Sequence, residues 1–115
     1  MSKKIKKEEK KSKPTKLKVT CTDESIIQCQ FAWQTLAIVI KKVGVEKVMQ
    51  MGRSNRGEPL ISTERFQDKA KLKYQKDLGN GYYLYTKSST NDKCVEIDRI
   101  WKNLQVDWIK NVEVV

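Results

Sequence analysis

At 115 residues and 13.4 kDa the chain has the size of one ordinary domain, and 38% hydrophobic against 33% charged residues is polar yet enough to build a core. Five Gly and two Pro exclude collagen-like and Gly/Pro-rich classes, and the longest apolar run, Leu36 to Ile40, is far below the ~18–20 residues needed to cross a bilayer. The formal net charge is +10, but it is unevenly spread: residues 1–18 hold nine Lys and two Glu (+7), and residues 19–115 hold 15 basic and 12 acidic side chains (+3).

Residues 1–15 read as a disordered Lys-rich tail, because Lys, Glu and Ser up to Pro14 cannot bury enough apolar area to offset ordering entropy. Such an arm is attracted to any polyanion without reading its sequence, and equally serves as a solubilising extension. Ile5 is its single apolar anchor and Ser2 stands where myristoylation needs Gly, so no membrane partner is expected. A charged start without an apolar stretch is not a secretion signal, which makes the cytoplasm the expected location. Cys21, Cys29 and Cys94 are then expected as reduced, inert, buried thiols. With no His in the chain and no CxxC spacing, neither a metal site nor any cofactor is expected.

Residues 16–115 are expected to form a single small α+β domain with an N-terminal β-hairpin, a central helix and a C-terminal strand–helix–strand unit. Leu17, Val19 and Cys21 alternate with polar residues as in a half-buried strand. Residues 22–25 then read as a turn into a second short strand at Ile26 and Ile27, which brings Cys21 and Cys29 near each other. Trp33, Leu36, Ala37, Ile40 and Val43 keep a helical period that Gly44 ends, and a short helix from Val45 to Met51 stops at Gly52. Residues 55–59 read as a turn-rich loop, Leu60 to Ser62 as a short strand, and Ser62 with Glu64 as the start of a helical turn that points Phe66 inward. Residues 67–78 show no clear period; if extended, Lys69, Lys71 and Lys73 share one face, either tracking a phosphate backbone or protecting a solvated edge. Gly79-Asn80-Gly81 is a turn, Tyr82 to Thr86 a strand, Cys94 to Leu104 a helix with Ile97, Ile100 and Trp101 on its stripe, and 106–115 a final strand. Trp33 and Trp101 are expected in the core, and Trp108 at its edge.

The segment with chemistry in it is Tyr82 to Cys94, where a strand gives way to a helix within four residues. Ser89 followed by Asp92 has the Ser-x-x-Asp form of a helix-capping box, and Thr90 is an alternative cap. That is how a helix starts, and it is also how an anion site is made: unpaired N–H groups and a partial positive charge at the helix tip, hydroxyls from Ser88, Ser89 and Thr90, and the charges of Lys87 and Lys93 beside them. Such groups grip nucleic-acid phosphates and set register. The Asp92 carboxylate opposes an anion there. Arg53 and Arg56, in Gly52-Arg53-Ser54-Asn55-Arg56-Gly57, are expected to form a mobile basic loop that adds phosphate contacts.

Residues 79–109 resemble the C-terminal DNA-binding domain of the replication regulator SeqA and are similar to RAMA-type domains found beside restriction enzymes and adenine methylases. Thr86, Thr90, Lys93 and Cys94 match residue types of the SeqA pattern. Lys87 and Ser89 stand where that family reads methylated adenine with Asn side chains, and Asn91 stands where it has Gly. The resemblance therefore implies phosphate contact at this helix start in bacterial or phage DNA transactions, and Thr86 and Asn91 join Lys87, Ser88, Ser89, Thr90 and Lys93 as the residues expected to contact nucleic acid there.

Catalysis is not expected. Without His the commonest general base and the Ser-His and Cys-His pairs are missing, no phosphate-cradling Gly loop is present, and Glu96 and Asp98 lie on different faces of their helix. The expectation is a non-catalytic nucleic-acid-binding protein, double-stranded DNA foremost. The alternative is a protein–protein module, a homodimer through an exposed edge, either strand 82–85 or the C-terminal strand.

Overall fold

In the computed structural model, which describes residues 16–115, the alternation of Leu17, Val19 and Cys21 becomes strand β1 (Leu17–Cys21) with those three side chains buried. The expected Lys-rich tail, residues 1–15, lies outside the described residues. Asp23 closes the turn by accepting from the Ser25 N–H and hydroxyl at 3.0 and 2.6 Å, and β2 (Ile26–Ile27) pairs antiparallel with Val19 and Thr20. The hairpin is as expected, but its register is not the one that joins Cys21 to Cys29. Cys21 N–H donates to Ser25 O at 2.8 Å, while Cys29 lies beyond β2 with its N–H donated to the buried Thr35 Oγ1 at 3.0 Å. All three cysteines are free thiols.

Helix α1 (Ala32–Val43) buries Leu36, Val39 and Ile40, and Gly44, at φ 122°, ends it by donating its N–H to Ile40 O at 2.8 Å. Helix α2 (Val45–Gln50) follows. The stretch expected as loop is a small hairpin, β3 (Ser54–Asn55) with β4 (Glu58–Pro59). Its two turn residues, Arg56 and Gly57, have φ of 54° and 82°, the pair of positive angles a type I′ turn requires. Strand β5 (Ile61–Ser62) matches expectation. The helical turn expected at Ser62 is absent, because the Ser62 hydroxyl instead accepts the Glu64 N–H at 2.9 Å and bends the chain.

The stretch without a sequence period, 67–78, splits into α3 (Lys69–Leu72), capped by Asp68, and β6 (Gln75–Gly79). Lys69 and Lys71 are therefore helical and do not share an extended face with Lys73. Then come β7 (Tyr82–Tyr85), α4 (Thr90–Asn103) and β8 (Ile109–Val114), the expected strand–helix–strand order. The two strands belong to different sheets, one ordered β2-β1-β8 and the other β5-β7-β6. Strand β8 runs antiparallel to β1 from Leu17 opposite Val114 to Thr20 opposite Asn111. Strand β7 is central, paired with β5 on one side and β6 on the other, so strand 82–85 is not the exposed edge it was expected to be; the C-terminal strand β8 is an edge.

Helix α1 packs on β1 and α4, and α4 packs on β8, so one apolar cluster joins the two sheets through Leu17, Leu36, Ile40, Leu84, Ile97 and Ile100. Trp33, Trp101 and Trp108 are all half-buried at its margin, which corrects the expectation that the first two are interior. The chain from 64 to 74 is tied to β7 and its exit by the Phe66–Tyr85 ring contact and by the two Thr86 bonds to Tyr74 O. The buried Gln75 also holds it, accepting the Phe66 N–H at 3.0 Å and donating to Glu64 O at 2.8 Å. Phe66 then meets Tyr85 edge-on at 5.2 Å. Gln75→Leu keeps the volume but strands the Phe66 N–H and leaves Glu64 O with the Ser62 hydroxyl alone, and is expected to cost about 1–3 kcal/mol in urea unfolding, with early proteolysis in 64–74; a loss no larger than that of an exposed Gln substitution contradicts this role.

Candidate nucleic-acid interface

The helix tip forms as the sequence suggests. Ser89 is the N-cap of α4, its Oγ accepting the Asp92 N–H at 3.0 Å, and Ser89, Asn91 and Asp92 are exposed. One of the tip's donors is thus already taken, and the Asp92 carboxylate stands in the first turn. Thr90 is half-buried as the first residue of the helix.

Lys93 is not the flanking arm that the sequence suggested. Its side chain folds inward, leaving the residue only 6% exposed, and Nζ donates to Thr86 O at 2.9 Å, Ser88 O at 2.6 Å and Ser88 Oγ at 2.9 Å. All three donors of an ammonium are satisfied in this way. The cause was present in the sequence: Lys93 lies four residues before Ile97 and seven before Ile100, on the stripe that α4 buries. Burial pushes its pKa down to about 8, and the neighbouring Asp92 carboxylate acts in the opposite direction.

Thr86 is likewise internal. Its N–H and Oγ1 both donate to Tyr74 O, at 2.8 and 2.7 Å, which joins the exit of β7 to the entry of β6. Between the two anchors at Thr86 and Ser88, Lys87 is exposed, with its Nζ 5.5 Å from the centre of the Tyr74 ring.

The β3–β4 hairpin converges on the same loop. Where a loop was expected there is a two-stranded hairpin, and three bonds of different kinds tie it to its surroundings. Asn55 Nδ2 donates to Tyr85 O at 3.1 Å, Arg53 pairs with Glu96 of α4 at 3.0 Å, and Arg56 Nε donates to Lys87 O at 3.0 Å. The left-handed φ of Arg56 is an uncommon backbone state for a side chain of this size, and the turn puts its guanidinium on the Lys87 carbonyl. Between hairpin and helix runs a groove of about 310 Å³ bordered by Arg53, Arg56, Ser88, Asp92, Glu96 and Arg99.

Of the nine residues singled out by sequence, the structure brings all into this one neighbourhood but divides their work. Thr86 and Lys93 are internal, Ser89 caps the helix, Ser88 accepts from Lys93, and Arg53 is held by Glu96. Lys87 and Arg56 form no ion pair among the described residues. The sequence did not single out Arg99, which borders the groove, or Asn55, whose role in the hairpin depends on Tyr85 O 30 residues away; no local pattern marks either.

Among the described residues no group of three His, Cys, Asp or Glu could hold a metal ion, and no helix is long and apolar enough to cross a membrane. Burial raises the Cys94 thiol pKa, and Asp98 and Glu113 raise it further, which keeps the sulfur protonated. No family model, curated protein or solved structure matches the chain.

The Lys93 geometry fixes a pH dependence. Its folded pKa lies below the ordinary 10.5, so between about pH 8 and 10.5 the unfolded chain holds a proton that the folded chain has released. Stability from this group therefore rises with pH across that window and is flat below it. The difference in urea stability between the wild type and Lys93→Met, followed from pH 7 to 10, is expected to shift in favour of the wild type above pH 8; a difference independent of pH contradicts the burial of this amine.

Proposed function

We infer that the chain is a non-catalytic nucleic-acid-binding protein, with double-stranded DNA its foremost ligand, that holds phosphates at the rim where the β3–β4 turn meets the 86–91 loop. The observation that carries this reading is the Arg56 Nε bond to the Lys87 carbonyl at 3.0 Å. It brings two cations, 31 residues apart in the chain, to one exposed edge, and neither has a carboxylate partner among the described residues. Nε alone engages the carbonyl, so the two terminal nitrogens of the fork are left to meet a phosphate. Ser88, Ser89 and Asn91 add neutral polar groups beside them, and Arg99 continues the charge along α4. Thr86 and Lys93 act in this reading as positioning residues. The Lys-rich segment 1–15 adds attraction that is independent of base sequence. The likeness of residues 79–109 to the SeqA domain points to bacterial or phage DNA transactions.

One observation favours a second reading, a protein–protein module that forms a homodimer. Strand β8 is six residues long and lies at the edge of its sheet, where a second copy of the strand could pair.

Both readings are tested in the full chain. Lys87→Ala and Arg56→Ala are each expected to weaken binding to a duplex about equally for all base sequences and to lower the salt slope by about one. The background is set by a variant with the seven lysines at 3, 4, 6, 7, 10, 11 and 13 replaced by serine. Unchanged affinity in both rim variants against that background removes the rim from the account, and a stable dimer in sedimentation that Val112→Lys dissolves favours the second reading.

A further inference from the structure

The rim has an aromatic component that phosphate contact alone does not explain. Tyr74 is half-buried, with Lys73 Nζ 5.2 Å and Lys87 Nζ 5.5 Å from its ring centre. Its backbone is fixed: the carbonyl accepts both donors of Thr86, and its N–H donates to Lys71 O at 3.0 Å. The ring therefore stands at a set position while the two ammoniums over it are carried by flexible exposed side chains. Arg56 reaches the same place through the Lys87 carbonyl.

Other cation–aromatic pairs of the described residues are accounted for differently. Lys71 lies over Phe66, but Lys71 is paired with Glu58 and Phe66 is packed on Tyr85. Arg65 lies over Tyr83, and the Asp77 carboxylate belongs to the residue paired with Tyr83 across β6 and β7. Lys42 and Lys102 lie over Trp108 and Trp101, and Lys76 over Trp33, each a single cation on a ring at the core margin. Among the described residues, Tyr74 alone has two cations over its ring, and neither forms an ion pair.

We propose that Tyr74 is a base-stacking platform, on which an unpaired base of a single-stranded nucleic acid lies while Lys73, Lys87 and Arg56 hold its flanking phosphates. The proposal rests on the nucleic-acid reading above and refines it by naming unpaired segments as the ligand of this part of the rim. A ring flanked by mobile cations suits that ligand for a physical reason. Every base has a π face, so stacking tolerates any sequence, and the ammoniums move from ring to phosphate without breaking a bond the fold uses. A duplex presents phosphates but keeps its bases stacked inside, so it gains from the cations and not from the ring.

The test uses the full chain and two labelled ligands, a 12-nucleotide oligothymidylate and a 12-base-pair duplex, with Tyr74→Leu and Tyr74→Phe. Thermal unfolding checks that both variants fold. Tyr74→Leu is expected to weaken the single strand about 5- to 100-fold and the duplex by less than about twofold, while Tyr74→Phe binds both like the wild type. A 2-aminopurine placed at the centre of the oligomer is expected to lose fluorescence on the wild type and on Tyr74→Phe but not on Tyr74→Leu. An equal loss on both ligands, or none on the single strand, overturns the platform. A wild type that binds the duplex but not the single strand overturns it while leaving the phosphate rim standing; a wild type that binds neither removes both.

Discussion

A lysine ammonium with three acceptors arranged around it cannot change place without giving up three hydrogen bonds at once. Lys93 is in that position: Thr86 O, Ser88 O and Ser88 Oγ all lie within 2.9 Å of Nζ, and the residue is almost wholly covered. The constraint ties the first turn of α4 to the end of β7, and what lies between the anchors is one residue, Lys87. Lys87 is exposed because its neighbours on both sides are held inward. Its carbonyl is then available to receive Arg56, which seats the β3–β4 turn, and its side chain extends over Tyr74, which Thr86 has fixed. One buried cation thereby sets the place of several exposed ones.

This arrangement inverts the obvious reading of the segment. A lysine at a helix start suggests a charge offered to an anion, yet Lys93 stabilises the loop and Lys87 is offered to solvent. The distinction matters for chemistry, because a buried ammonium at low pKa is a poor partner for a phosphate that keeps its water, whereas an exposed one exchanges counterions freely. Ser89 similarly uses its oxygen on the Asp92 N–H. In the proposed reading the phosphate contacts therefore belong to the rim of this corner and not to the helix dipole.

Much of the fold was legible because it is local. The β1–β2 turn, α1 with its Gly44 stop, the Gly79-Asn80-Gly81 turn and the Ser89 cap each follow from a few adjacent residues with a period or a capping pattern. The rest depends on partners far apart in the chain. Strand β8 pairs with β1, 88 to 97 residues earlier, and β6 becomes a strand because β7 is beside it, not because Gln75-Lys76-Asp77-Leu78-Gly79 has strand character. The β3–β4 hairpin is two residues to a side and is held by Asn55 on Tyr85 O and Arg53 on Glu96, bonds that no local pattern announces. The inward turn of Lys93 was readable in principle, as a continuation of the Ile97 and Ile100 stripe, but residue type outweighed position.

In the proposed reading a nucleic acid meets the rim formed by Arg56, Tyr74 and Lys87. The direct measurement is a map of backbone amide shifts on the full chain as a short duplex is added at moderate salt. Amides of residues 56–57, 73–74 and 87–91 are expected to move first and to saturate together, with the outer edge of β8 unmoved. Shifts confined to residues 1–15, or centred on 109–114, would contradict it.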